Sequence, residues 1–330
     1  MKIYPNKLTA GDEVRVIAPS RSLKIISQSN IDYAVKALEL LDLKVSFGKH
    51  VNEIDIFDSS SIESRLTDLH DAFGDKNVKA ILAVIGGCNA NQLLKYIDYD
   101  LIKKNPKIFC GFSDITALQN AIYSNAGLVT YSGPQFSSFA MQKGFEYTLE
   151  YFKKIFYQHA PISITPSSKW SDDAWFLDQE NRAFRPNEGY WVIHPGKAKG
   201  PIVGGNVSTL QLLHGTSFMP SFEDSILFLE SDSITEGQCV YEFDRDLQSI
   251  ICQPNFDKVK AIVIGRFETK FGMDLHKLTL IIESKQELKN IPIIANVDFG
   301  HTMPMFTFPI GGVCEINASA TASTIDLLEH

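Results

Sequence analysis

Between Glu13 and Ile122, short apolar runs alternate with segments of helical periodicity. This alternation restricts the fold more than any other feature of the chain. Glu13–Pro19 (EVRVIAP) reads as a buried strand, Ile31–Leu41 as an amphipathic helix, and Lys44–Phe47 as a second short strand. Ser61–Phe73 has helical spacing, and Val78–Ile85 is a strongly apolar strand ending in Gly86-Gly87. Asn91–Ile97 again reads as helix, and Ile108–Cys110 as a strand. Near-continuous apolar strands separated by helices imply a parallel sheet with both faces covered, because parallel neighbours need crossover connections. Ligands of such sheets sit outside the carboxyl ends of the strands. Two of those ends carry the Gly86-Gly87 pair and Gly111-Phe112-Ser113.

The second of these ends is the more reactive in appearance. In KIFCGFSDITALQNAIY (107–123), an apolar run gives way to a serine and an aspartate, and Ile115, Leu118, Ala121 and Ile122 then follow helical spacing. A serine at a strand-to-helix turn projects its hydroxyl from the sheet edge, beside unpaired N–H groups and the positive end of the helix dipole. G-x-S-x-G hydrolases use the same geometry, but this chain lacks the second glycine. From the residues alone, Ser113 or Asp114 acting only as a helix cap stays open.

A chain of 330 residues is long for one core and is expected to form two domains. Residues 1–160 form an N-terminal α/β domain. Residues 161–199, rich in Pro, Ser, Asp, Asn and Trp, read as a crossover with a long aromatic loop, and 200–327 as a second domain. The final Leu-Glu-His (328–330) resembles a tag remnant. A net charge of −8 argues against a nucleic-acid polymer as partner. No apolar run approaches the ~20 residues needed to span a bilayer, and the first twenty residues lack a signal peptide's apolar core, so a cytoplasmic protein is expected. The five cysteines form no CxxC pair and read as reduced, mostly buried thiols. No HExxH or clustered His/Cys spacing calls for a metal, and no cofactor is expected.

A nucleophilic serine needs a base and a group that orients the base. Of eight histidines, His301 stands out: it follows the apolar strand Ile293–Val297 in the turn Asp298-Phe299-Gly300-His301. Glu230 likewise ends the apolar run Ser225–Leu229. A carboxylate and a histidine, each just past a buried strand, can meet at one sheet edge; a surface strand end and a turn histidine are the plainer readings of the same residues.

Taken together and in order, several motifs resemble one family. They are G-F-S-D-I-T-A-L (111–118), the glycine pair after VKAILAVI, G-P-I-V-G-G-N (200–206), L-F-L-E (227–230), F-D-R (243–245), D-F-G-H-T-x-P (298–304) and F-P-I-G-G (308–312). The chain resembles the LD-carboxypeptidase family of serine peptidases from about Leu8 to Asn317. The resemblance implies an α/β fold: an N-terminal flavodoxin-like parallel-sheet domain plus a C-terminal swivelling β/β/α domain, with the site between them. It puts the family's Ser-Glu-His triad on Ser113, Glu230 and His301, the oxyanion donors on the backbone of Gly87 and Asp114, and substrate contacts on Gly86, Cys88, Asn89, Trp175 and Asn206. It also implies a homodimer.

Ile85-Gly86-Gly87-Cys88-Asn89 and the loop KWSDDAWFLDQENR (169–182) are more similar to the microcin C self-immunity subgroup than to muropeptide-trimming members, which usually carry Arg-Gly-Gly-Tyr. In that subgroup a loop tryptophan stacks on the nucleotide base; Trp175 is the best match and Trp170 the second. Cys88 departs from the aromatic often found after the glycines, and as a nucleophile it is the lesser alternative to Ser113. Three readings follow: a hydrolase of aminoacyl- or peptidyl-nucleotides that protects against a peptide-nucleotide antibiotic, an LD-carboxypeptidase of muropeptides, and a non-catalytic nucleotide- or peptide-binding protein.

Overall fold

The computed structural model describes residues 2–232, 239–319 and 322–330. The first half alternates as the apolar pattern requires: β1 (Glu13–Ile17), α1 (Gln28–Glu39), β2 (Lys44–Phe47), α2 (Ile62–Gly74), β3 (Val78–Ala83), α3 (Tyr99–Lys104), β4 (Ile108–Gly111), α4 (Thr116–Ala126), β5 (Thr130–Ser132) and α5 (Glu146–Tyr157). After it come β6 (Ile162–Ile164), the two-residue strands β7 (Lys169–Trp170) and β8 (Arg185–Pro186), β9 (Trp191–His194), β10 (Gly196–Asn206), α6 (Val207–Leu210) and β11 (Ile226–Glu230). The chain then continues through α7 (Cys239–Ile251), β12 (Ala261–Gly265), α8 (Leu275–Glu283), β13 (Ile293–Val297), β14 (Phe308–Ile310), β15 (Val313–Ala318) and β16 (Thr324–Glu329). Ser61 caps α2, accepting from Ser64 N. The expected helix at Asn91–Ile97 is instead a short 3₁₀ turn, Ala90–Leu93. Its neighbour Asn89 supplies no side-chain cap, so a full helix has no N-terminal partner there.

Two sheets organise the molecule. The first runs β14-β5-β4-β3-β1-β2. Its strands β2, β1, β3, β4 and β5 are mutually parallel, the 2-1-3-4-5 order of flavodoxin-like folds. β14, from the far end of the chain, adds antiparallel to β5. The second sheet runs β6-β16-β15-β10-β11-β12-β13-β9, with β10 to β13 parallel and the flanking pairs antiparallel. Residues 161–199 therefore lend β6 and β9 to the second sheet, while β7 and β8 form a separate ribbon. The terminal Leu-Glu-His is integrated: Leu328 and Glu329 lie in β16, and His330 Nδ1 is 2.7 Å from Lys7 Nζ. Two of the five cysteines, Cys88 and Cys252, are exposed rather than buried, and all five are thiols.

The contact between the sheets places the site. Helix α4 lies against β10, where Asn120 donates to Gly204 O (2.8 Å) and accepts from Gly204 N (3.3 Å). Gly205, at a φ of 123°, is required there: a Cβ would sit 2.5 Å from Thr116 Oγ1. The helix that follows Ser113 is thereby clamped to the strand whose last residue, Asn206, is paired in register with Glu230.

Candidate active site

Ser113 occupies the turn between β4 and α4 at a φ of 64°, in the left-handed region that a non-glycine residue seldom visits. Such a residue persists only where its surroundings hold it, at a cost of about 1–3 kcal/mol. Gly86 provides the room: a Cβ at that position would lie 2.9 Å from Ser113 Cβ and 3.1 Å from its Oγ. The buried Asp114 carboxylate then fixes the glycine loop, its Oδ2 accepting from Asn89 N (2.9 Å), Ala90 N (2.9 Å) and Ser20 Oγ (2.6 Å). One carboxylate ties together the loops that follow β1, β3 and β4.

From the second sheet come the partners. Glu230, 4% exposed at the end of β11, approaches His301 Nδ1 with Oε2 at 2.8 Å. His301 Nε2 lies 3.1 Å from Ser113 Oγ, so the three side chains stand in a row at hydrogen-bond distance. Gly300, at a φ of 105°, admits the carboxylate, since a Cβ there would meet Glu230 Oε2 at 2.9 Å. Phe112 packs edge-on against the imidazole at 5.3 Å. Behind the turn, Asp298 and Arg266, 0% and 2% exposed at the side chain, form a 2.6 Å ion pair that anchors the DFGH segment. Burial lowers the His301 pKa, but Glu230, by charge and hydrogen bond, and then Asp232 and Glu268 outweigh it and raise the group to about 9.

A cleft of about 590 Å³ opens over these residues, and Gly86, Gly87, Cys88, Ser113, Trp175 and His301 all line it. Trp175 is half-buried against the core, with Phe176 edge-on to its ring at 6.0 Å. The loop is held by its own charges: Asp173 binds Arg182 (2.7 Å) and Ala183 N (2.8 Å), and Asp172 lies 3.4 Å from Arg185. Ser171 exchanges two backbone hydrogen bonds with Met303, 2.7 and 2.8 Å, joining the loop to the His301 segment.

Asn206, Asn89 and Trp170 are not on the cleft wall. Asn206 is 1% exposed; its Oδ1 caps α6 through Thr209 N (3.0 Å) and its Nδ2 donates to Asp232 (3.1 Å), so it braces the cleft from behind. Asn89 accepts from Arg65 (3.1 Å) and is not part of the cleft wall. Trp170 stands between the guanidinium groups of Arg185 and Arg266, 5.2 and 5.1 Å from its ring, outside the cleft. Conversely, the wall includes Arg21, Gln135, Ser138, Asp232, Glu268 and Lys270, which residue-level reading passed over. A signal existed for two of them. Arg21 and Gln135 follow the carboxyl ends of β1 and β5, where ligands of a parallel sheet gather.

Residues 14–133 match the model of the LD-carboxypeptidase N-terminal domain, and 199–316 that of the C-terminal domain. The chain belongs to the LD-carboxypeptidase family. It is a serine peptidase by that membership. YocD of Bacillus subtilis (strain 168), a carboxypeptidase by name, is 53% identical over 328 residues, 99% of this chain and 100% of that protein. The crystal structure of an MccF-like protein from Bacillus anthracis (strain Ames) superposes with a TM-score of 0.99 at 56% identity, covering 99% of this chain and 100% of the other. The microcin C7 self-immunity protein MccF of Escherichia coli is 31% identical over 320 residues, 92% of this chain and 90% of its own. Structures of MccF in complex with glutamyl sulfamoyl guanosine and with aspartyl sulfamoyl adenosine each match with a TM-score of 0.88 at 28% identity, over 99% of this chain and 98–99% of theirs. Among the described residues, no helix of this LD-carboxypeptidase relative is long and apolar enough to cross a membrane.

Proposed function

We propose that this chain is a Ser–His–Glu hydrolase that cleaves the amide-like bond of aminoacyl- or peptidyl-nucleotides, in the manner of a microcin C immunity peptidase, and so confers resistance to such an antibiotic. One observation carries the reading: a single cleft is lined by Ser113 and His301, with Glu230 buried behind the imidazole, and by the aromatic pair Trp175 and Phe176. Ser113 attacks the acyl carbonyl while His301 takes its proton, and Glu230 holds the imidazole in the tautomer this needs. The tetrahedral oxyanion is received by the backbone N–H groups of Gly87 and Asp114, and removing one such donor typically costs about 3 kcal/mol in the barrier. His301 protonates the leaving nitrogen, water then attacks the acyl-serine with His301 again as base, and no metal or organic cofactor takes part. Trp175 stacks on the base of the leaving nucleotide. The aminoacyl sulfamoyl nucleosides bound by MccF support this substrate class. Action in the cytoplasm as a homodimer belongs to the same proposal.

A second reading, removal of a residue at an L,D bond of muropeptides, is favoured by Arg21. It lies on the cleft wall, half-exposed, with the Asp58 carboxylate 3.9 Å away, and is available to a free peptide carboxylate. The two are separated by hydrolysis of an aminoacyl sulfamoyl-adenosine and an L,D-tetrapeptide, assayed side by side. The proposal expects kcat/KM for the nucleotide to exceed that for the tetrapeptide, and the reverse order would replace it with the second reading.

A further inference from the structure

Arg65, on α2, is 2% exposed, yet among the described residues its guanidinium meets no carboxylate at hydrogen-bond distance. Arginine is seldom fully buried unless paired with an opposite charge, because a desolvated charge is costly. Here the donors end on neutral amide oxygens instead. Nη1 donates to Pro19 O (3.3 Å), Asn89 O (3.0 Å) and Asn89 Oδ1 (3.1 Å), and Nη2 to Gln92 Oε1 (2.6 Å), while Nε has no partner. Pro19 follows β1 and Asn89 follows β3. One guanidinium fork therefore holds the two loops that carry Arg21 and Gly86-Gly87-Cys88 to the cleft wall.

Asp114 holds the same two loops from the other side. Its Oδ2 accepts from Ser20 Oγ, next to Pro19, and from the N–H groups of Asn89 and Ala90. The Asn89–Ala90 peptide is thus gripped at both ends, its carbonyl by Arg65 and its N–H by Asp114. A buried cation and a buried anion act through one peptide group, and polarisation along such a chain strengthens each bond in it. Burial lowers the Arg65 pKa, with Asp55 and then Asp114 opposing it, and a guanidinium stays protonated throughout. Gly87 abuts this clamp: a Cβ there would lie 2.2 Å from Ser20 Oγ and 3.4 Å from Arg21 N. Arg65 itself is not on the cleft wall. We propose that Arg65 is a positioning residue for the reaction, which sets the Gly87 N–H against the Asp114 N–H through the Asn89–Ala90 peptide, so that both donors meet the oxyanion formed at Ser113. This deepens the hydrolase reading above and rests on it. A lysine cannot substitute, because one ammonium nitrogen lacks the planar fork that spans both loops.

The test reads a rate constant, because misfolded protein lowers the amplitude of a single turnover and leaves its rate constant unchanged. With enzyme in saturating excess over an aminoacyl sulfamoyl-adenosine, release of sulfamoyl-adenosine is followed by rapid quench in wild type, Arg65→Met and Arg65→Lys. Calorimetric affinity for the same nucleotide is measured for each variant in a Ser113→Ala background. Both variants should lower the rate constant, Arg65→Met by about 10- to 100-fold, at full amplitude and with affinity unchanged. The midpoint of the pH profile should stay where the wild type has it. That split marks an interaction realised only in the transition state. If Arg65→Met loses its thermal transition, Arg65→Lys decides alone. A wild-type rate constant in either folded variant, an affinity loss as large as the rate loss, or loss of the thermal transition in both overturns the assignment of Arg65 while leaving the substrate class standing. Release of no sulfamoyl-adenosine by the wild type overturns the aminoacyl-nucleotide reading, and this inference with it.

Discussion

At Ser113 the backbone conformation and the crowding of Gly86 describe one constraint from two sides. The hydroxyl meets His301 with Ser113 in the left-handed region, and the missing side chain at residue 86 leaves room for it there. Gly86→Ala should therefore displace the serine and lower kcat/KM by about 100-fold, the scale of a misplacement near 1 Å, with the melting temperature little changed. Wild-type kinetics in that variant would mean that the close approach has no catalytic consequence. His301 makes a second prediction. Its pKa lies near 9, above the ordinary 6.5, so in the free protein at neutral pH the imidazole holds a proton and donates to Ser113. Base function grows as that proton leaves, so kcat/KM should rise with pH to a plateau above about 9. Stability runs the other way: the contribution of His301 is fully present below 6.5 and is lost as pH rises through about 9. Glu230→Gln removes the largest of the groups that raise His301 and should move the kinetic midpoint to lower pH while reducing the plateau. A flat pH profile in the wild type would contradict this electrostatic account.

At the scale of elements, the 169–182 loop is braced beside the cleft, whose wall it supplies from Ser171 to Phe176. Asp172 and Asp173, which from sequence make the loop look acidic, are spent on Arg185 and on Arg182 and Ala183 N, and the backbone pairs with Met303. Trp175 is thus delivered to the cleft by an ordered segment. If it stacks on a nucleobase, Trp175→Ala should weaken nucleotide-bearing substrates by ~1–3 kcal/mol in kcat/KM and scarcely alter hydrolysis of a peptide without a nucleotide. Uniform loss on both substrates would reduce Trp175 to a packing role and move the muropeptide reading ahead. The same scale shows where sequence reading stops. Strands β1, β3 and β4 were legible because each is a short, largely apolar run bounded by turn residues. The paired ribbon β7–β8 was not, since two-residue strands carry no periodicity, and the order of the Asn89–Leu93 turn depends on Asp114, distant in sequence.

For the whole molecule, the site exists because two sheets share a clamp. Ser113 comes from the first sheet, Glu230 and His301 follow strands of the second, and the α4–β10 contact through Asn120 and Gly205 sets the distance between them. The three residues could be singled out in the sequence because each lies at or just past the end of an apolar strand. That they converge could not be read from spacing, since 188 residues separate Ser113 from His301. Asn206 lies next to the site in register and turns its carboxamide to a helix cap and to Asp232 of the cleft wall. The return of β14 to the first sheet was equally illegible, because such long-range pairing leaves no local mark.

The central claim is that Ser113 carries the acyl group during turnover, and rapid-quench mass spectrometry tests it most directly. The protein is mixed with an aminoacyl sulfamoyl-adenosine, stopped in acid within a single turnover, and digested for peptide mapping. The account predicts an added aminoacyl mass on the peptide that contains Ser113, absent from Ser113→Ala, which should also be inactive. An acyl group found on Cys88, or turnover retained by Ser113→Ala above a few per cent of wild type, would contradict it.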